Sequence, residues 1–380
     1  MKPMFNMPQI PDELRRALET MEIVEPTDIQ AKVIPEALAG QDIVARSQTG
    51  TGKTLAYLLP TLALMKPDEK GLQALVLAPT QELAMQIVEV AKALTADSGL
   101  RVDAFIGGAN IKRQIERLKK QKPQLVIGTP GRVLELVEQK KLKLHQVRTV
   151  VGDEADRMVA EQHSWDAFLQ LAKRIGRERQ YVFVSATIPP NFAERVADFA
   201  PFIVQLEAEG GLLDNELVQH VWIQIEGRDR IDTVRKLLHA EAIKRGIIFV
   251  NRLEKVIETT EKLRYRGIKA AALSSDSSKQ EREKALQQFR RGEVDVLVAT
   301  DVASRGLDVD DVTHIIQLDP AATPESYLHR AGRTGRMGKA GMVISLIESH
   351  DRYKLDKYRR ELDVPMVKGY LAKGELTIGT

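Results

Sequence analysis

The chain has 380 residues, 43% hydrophobic and 29% charged, a balance that suits a folded globular protein rather than a disordered chain or one built to span a bilayer. That length exceeds what one hydrophobic core ordinarily serves, so two domains are expected. With no cysteine and 7 scattered histidines, disulfide frameworks, thiolate metal sites and thiol nucleophiles are excluded, and the net charge of +3 is too small for bulk attraction to a polyanion.

In chain order, short aliphatic runs at 42–45, 74–78, 102–106, 124–127, 149–151 and 181–184 alternate with helix-length segments, which predicts βα units around a buried parallel sheet. The polar, glycine-containing stretch 207–215 breaks this pattern and predicts a linker. Runs at 219–225, 246–250, 269–273, 294–299, 312–318 and 342–347 then predict a second sheet, with a helix over 282–290. The expected organisation is a first α/β domain over 1–206, a second over 216–367 and a short tail over 368–380, alike in fold and not in sequence. No run of about 18 uncharged apolar residues occurs and the N-terminus lacks the apolar core of a secretion signal, so a cytoplasmic location without membrane contact is expected. The basic run Lys112, Arg113, Arg117, Lys119, Lys120, Lys122 reads as a solvated helix face.

The polar signatures fall just past strand ends, where open α/β sheets bind ligands. After 42–45 comes Ser47-Gln48-Thr49-Gly50-Thr51-Gly52-Lys53-Thr54, a phosphate-binding loop in which Ser47 stands where the pattern has glycine. Its glycines let backbone N–H groups curl round a polyphosphate, Lys53 supplies counter-charge, and the Thr54 hydroxyl is a ligand for Mg²⁺. Asp153, after another buried strand, is the expected second Mg²⁺ ligand, and Glu154 the group that orients or deprotonates an attacking water. The small residues in His329-Arg330-Ala331-Gly332-Arg333-Thr334-Gly335-Arg336 let several guanidinium groups approach one anion, so Arg333 and Arg336 are expected to stabilise charge on a transferred phosphoryl group.

With these segments in place the chain resembles a DEAD-box ATP-dependent RNA helicase of the short bacterial type; the name is spelled by Asp153-Glu154-Ala155-Asp156, and about a dozen motifs follow in the family's order. The resemblance implies two tandem RecA-like P-loop domains, each a mostly parallel sheet flanked by helices. It implies that Gln30, in Pro26-Thr27-Asp28-Ile29-Gln30, reads adenine, with Ser47, Gln48, Thr49, Gly50, Thr51, Gly52, Lys53, Thr54 and Asp308 completing the nucleotide site and Phe5 as the upstream aromatic. Pro79, Thr80, Gly108, Thr129, Pro130, Gly131 and Arg132 of the first domain, and Asn251, Arg252 and Thr300 of the second, would contact RNA backbone. Asp156, Ser185 and Thr187 would couple nucleotide state to strand separation, and Arg333 and Arg336 would act as arginine fingers. The chain departs from the family pattern at Glu22-Ile23 (usually Gly-Phe), Gln81 (Arg), Lys279 (Gln) and Gly152 (a large aliphatic residue); at Gly152 some loss of strand packing is expected.

The implied activity is RNA-stimulated hydrolysis of ATP, with Mg²⁺, driving two domains to close on RNA with little sequence specificity and part short duplexes or remodel RNA–protein complexes. Ribosome assembly on pre-ribosomal particles, or RNA turnover, and a monomeric state are further expectations. An ATP-gated RNA clamp that unwinds little is the alternative kept open by Glu22-Ile23, Gln81 and Lys279. A nucleotide-binding protein without RNA would hydrolyse ATP indifferently to RNA.

Overall fold

The computed structural model describes residues 5, 7–47, 51–208, 217–274, 276–301, 303, 311–335, 339–372 and 374–379, which divide into two compact units before and after residue 209. Gln48, Thr49, Gly50, Asp308, Arg336 and nearly all of the expected linker lie outside the described residues, as does the side chain of Lys279.

The first unit runs α1 (Asp12–Thr20), α2 (Asp28–Leu38), β1 (Ile43–Arg46), α3 (Lys53–Ala63), β2 (Ala74–Leu77), α4 (Gln81–Leu94), β3 (Val102–Phe105), α5 (Ile111–Gln121), β4 (Leu125–Gly128), α6 (Pro130–Glu138), β5 (Thr149–Asp153), α7 (Ala155–Ala160), α8 (Gln162–Ala172), β6 (Gln180–Ser185), α9 (Phe192–Val196) and β7 (Val204–Glu207). Its strands lie in the order β3-β4-β2-β5-β6-β1-β7 and every pairing is parallel. Because β2, β4, β5 and β6 are buried on both faces, they read in the sequence as continuous apolar runs. Apolar clusters fill both faces, one around Val33, Tyr57 and Ile87, the other around Phe168, Phe183 and Trp165.

The second unit runs β8 (Val218–Gln224), α10 (Arg230–Ala240), β9 (Gly246–Phe249), α11 (Glu254–Tyr265), β10 (Ala270–Leu273), α12 (Lys279–Arg290), β11 (Val296–Ala299), β12 (His314–Gln317), α13 (Pro324–Ala331), β13 (Gly341–Ile347), α14 (Arg352–Leu362), β14 (Met366–Ala372) and β15 (Glu375–Ile378). The order β10-β11-β9-β12-β13-β8-β14-β15 repeats that of the first sheet, with β14 holding the place of β7, parallel to β8, and β15 added antiparallel. The two halves are therefore alike in topology.

Two boundaries differ from expectation. The segment read as a tail is mostly the pair β14–β15, and Leu371, Leu376 and Ile378 pack on the second core. Glu207, read as the first linker residue, ends β7 and pairs with Arg46. Strands β7 and β14 both carry exposed residues in place of an unbroken apolar run, so the pattern that revealed the interior strands passed over them.

Gly152 does not loosen the sheet. A Cβ there would lie 2.8 Å from Cδ1 of Phe183 and 3.1 Å from Cε of Met158, so these side chains fill the space a larger residue would occupy. Glu22, at the family's usual glycine position, takes a left-handed φ of 58°, and the Ile23 N–H reaches back to the Leu18 carbonyl at 2.9 Å, closing α1. Ile23 itself packs against the first core.

Two measurements test this packing. Gly152→Ala should destabilise the first unit by about 1–3 kcal/mol through overpacking, and less when combined with Phe183→Leu, as a double-mutant cycle in denaturant would read. In the second unit His220, 1% exposed, shares a 2.7 Å hydrogen bond with the Tyr327 hydroxyl, and burial pushes its imidazole down from 6.5 to about 4. Between these values the unfolded chain takes up a proton that the folded one refuses, so stability present above pH 6.5 falls by up to about 3 kcal/mol as pH drops to about 4. Denaturant midpoints against pH, read by Trp222 fluorescence in a Trp165→Phe background, should show this loss, and His220→Phe should abolish it.

Candidate functional site

Parallel pairing brings the carboxyl ends of β5, β6 and β1 side by side: Asp153 is in register with Val184, and Ser185 with Arg46. The chain leaves β1 at Ser47, whose N–H donates to the Ser185 carbonyl at 3.0 Å, and enters α3 through Gly52 with φ 86°. Only glycine suits this position, because a Cβ would also lie 2.3 Å from Nε2 of Gln30. Lys53, nearly buried, donates to the Ser47 carbonyl, and the Ser47 and Thr51 hydroxyls lie 2.6 Å apart. Thr54 follows half-buried in the first turn of α3. Gln30, 2% exposed, closes the N-terminus of α2 by accepting from Thr27 N–H at 3.0 Å and donates to the Gly52 carbonyl at 3.0 Å, tying its helix to the phosphate loop. Phe5 is buried in the first core.

Asp153 ends β5 with one oxygen accepting from Tyr57 Oη and the other from Glu154 N–H, both at 2.8 Å. Burial, and then the charge of Glu154, raise its carboxyl to about 6 against the pull of Lys53. A buried carboxylate that holds a proton this tightly has too little positive charge around it, which is the condition a divalent cation relieves. Among the described residues no three His, Asp or Glu side chains converge on one point, so a cation here would need phosphate oxygens as further ligands. Glu154 adopts φ 50° and its carboxylate accepts from the buried Arg157 guanidinium. Asp156 donates its N–H to Ser185 Oγ at 3.0 Å and accepts from Thr187 N–H at 3.1 Å and Thr187 Oγ1 at 2.7 Å, so the β5 and β6 loops are joined.

The remaining first-unit segments gather at the other half of the same edge, on β3, β4 and β2. Pro79 precedes Thr80, whose hydroxyl caps α4 at Leu83 N–H, 3.2 Å. Gly107 N–H donates to Thr129 Oγ1 at 3.2 Å, and Arg132 to the Ala109 carbonyl at 2.9 Å, while Pro130 opens α6 and Gly131 follows it. Gly108 has φ 66° and stands beneath the Gln81 amide, 3.1 Å from where a Cβ would sit. Nucleotide-type and backbone-type residues are thus sorted along a single edge.

In the second unit Asn251 follows β9, and its side chain donates to the Pro320 carbonyl at 3.0 Å and accepts from Arg330 at 2.7 Å; Arg252 is exposed. Thr300 is buried, its hydroxyl accepting from Ala303 N–H at 3.3 Å. Arg333, 7% exposed, donates to the His329 carbonyl at 3.3 Å. The hub is Arg330, 1% exposed, which pairs with Asp301 at 2.9 Å, donates to the Asp319 carbonyl at 2.8 Å and stacks 5.0 Å from the Phe249 ring centre. Tyr57, Arg157 and Arg330 were not singled out from the sequence; the first was signalled by its spacing of four residues from Lys53 on one helix face.

Residues 27–196 match the DEAD/DEAH box helicase model and residues 229–338 the helicase conserved C-terminal domain. The chain is 44% identical to the DEAD-box ATP-dependent RNA helicase CshC of Bacillus cereus, over 95% of this chain and 92% of that one. It belongs to the DEAD-box ATP-dependent RNA helicase family. The probable ATP-dependent RNA helicase YfmL of Bacillus subtilis is 38% identical over 93% of each chain. Among solved structures, S. cerevisiae Dbp5 bound to RNA and ADP BeF3 superposes with a TM-score of 0.85 at 28% identity, covering 94% of this chain and 93% of that one. A DEAD box protein from Methanococcus jannaschii does so at 0.60 and 31% identity, covering 96% and 98%. The two units are RecA-like domains, as the family's motifs implied. No helix among the described residues is long and apolar enough to cross a membrane.

Arg330→Ala would remove the cation that Asp301 shares with the Asp319 carbonyl and the Asn251 and Gln317 side-chain oxygens. Thermal unfolding should show the second unit losing about 3–5 kcal/mol, and Arg330→Lys should recover little, since an ammonium cannot reproduce the planar fork.

Proposed function

We propose that this protein is an RNA-stimulated ATPase that closes its two domains on RNA and parts short duplexes or remodels RNA–protein complexes. The observation that carries the reading is the sorting of the first domain's edge: a buried acid–base and phosphate-binding group at β5, β6 and β1, and a row of glycines, hydroxyls and one arginine at β3, β4 and β2. The second group offers backbone N–H and hydroxyl contacts suited to sugar and phosphate, which carry no base code.

Lys53 and the loop N–H groups would hold the ATP phosphates, and Asp153 and Thr54 would hold Mg²⁺. When bound, that ion would neutralise charge on the phosphate oxygens. Glu154 would take the proton of the attacking water, and Arg333 and Arg336 of the second domain would stabilise the charge that develops. Asp156, Ser185 and Thr187 couple the two loops that border the nucleotide, so a change at the phosphate would be felt along the sheet edge. Gln30 bridges the phosphate loop here, and adenine would draw the same amide. Work on pre-ribosomal particles, or in RNA turnover, as a monomer in the cytoplasm, fits this activity.

The deciding experiment is ATP turnover with and without a short RNA, repeated with DNA. Turnover that rises only with RNA supports the proposal, and turnover indifferent to any polynucleotide refutes it. Glu154→Gln should retain nucleotide and RNA binding while turnover falls by about 10²-fold or more. Unchanged turnover would remove Glu154 from the mechanism.

A further inference from the structure

Across β8 and β14 the second sheet carries a stripe of cations and aromatic rings that the motif-bearing loops do not include. Along β8, side chains alternate between faces, so His220 and Trp222 share one face. His220 is covered by Tyr327 of α13. Trp222, only 5% exposed, has two flexible cations over it instead: the Arg352 guanidinium 5.6 Å and the Lys368 ammonium 5.4 Å from its ring. Lys368 is the register partner of Trp222 across β14 and also lies 5.2 Å from the ring of Tyr370, which is 48% exposed.

One cation would suffice to shield an indole. Two on the same ring repel each other unless an anion joins them, and among the described residues neither Arg352 nor Lys368 has a carboxylate partner. The matching edge of the first sheet is built the other way: there Arg46 of β1 is paired with Glu207 of β7. Lys354, two residues beyond Arg352, is neutralised by Asp351 at 2.7 Å.

We propose that Arg352, Lys368 and Tyr370 form a second contact surface for single-stranded RNA. The two cations receive successive phosphates and a base stacks on the Tyr370 ring, the combination that binds single strands without reading sequence. Four strand spacings, about 19 Å, separate β14 from β9, where Asn251 and Arg252 begin. The surface thus holds nucleotides beyond those reached by the motif loops and lengthens the tract that one protein retains. This inference rests on RNA being the ligand of the motif-bearing edge.

The test is binding of a fluorescent single-stranded oligouridine to the full-length protein without nucleotide, across a range of salt. Arg352→Gln with Lys368→Gln should weaken binding about tenfold at low salt and reduce the slope of log K against log salt by about 1.4, the share of two phosphates. Tyr370→Ala should cost about tenfold while Tyr370→Phe keeps wild-type affinity, and an abasic oligomer should erase the difference between the two. The Tyr370 variants leave the cover of Trp222 in place, so they decide the matter even if the double variant folds poorly. Unchanged affinity in the Tyr370→Ala protein, or weaker binding by the double variant with an unchanged salt slope, overturns the proposal. Wild-type turnover that ignores RNA would sink the helicase reading itself; RNA-stimulated turnover with unaltered binding by every variant would sink this inference alone.

Discussion

Two carboxylates in adjacent residues at the end of a buried strand are the constraint around which the first domain is arranged. Asp153 and Glu154 cannot both be charged in a low-dielectric setting without positive charge close by. The fold supplies it asymmetrically. Glu154 receives a full ion pair from Arg157, one helical turn onward, whereas Asp153 has only the field of Lys53 and a phenolic hydrogen bond from Tyr57. The Asp153 carboxyl consequently keeps its proton to about 6, and the protein alone leaves its electrostatics incomplete. A divalent cation held with phosphate oxygens would complete them, as the proposed function requires.

Parallel pairing does the rest of the positioning. With all strands running the same way, each strand's loop emerges on one edge, and the sheet order decides which loops become neighbours. Sequence order alone would not place the loop after β1 beside those after β5 and β6. The order repeats in the second domain, where the corresponding edge is braced by the buried Arg330. One topology thus carries a paired-carboxylate cluster at one edge and an arginine-centred network at the other.

The interior strands and the chemistry-bearing loops were legible because their signals are short in range: apolar runs for strands buried on both faces, and the Asp153–Asp156 and Ser185–Thr187 segments at their ends. Residues that act through a distant partner were not. Arg157 looks in sequence like any solvated arginine and Arg330 like one more cation for a shared anion, and only the fold shows the acids that bury them. Gly152 looked like a packing defect because its complement, Phe183, lies on another strand. Strands β7 and β14 escaped notice because exposed residues interrupt their apolar pattern. The Gln48, Thr49, Gly50, Asp308 and Arg336 expectations rest on the motifs alone.

Glu154 carries a further consequence. Its backbone is left-handed, a conformation that costs a residue with a Cβ about 1–2 kcal/mol. Glycine would relieve that strain but would leave the buried Arg157 guanidinium without its carboxylate, a loss of about 3–5 kcal/mol that outweighs the relief. The ion pair thus holds a strained backbone in place, and a gain in ruggedness at this position would require both residues to change together.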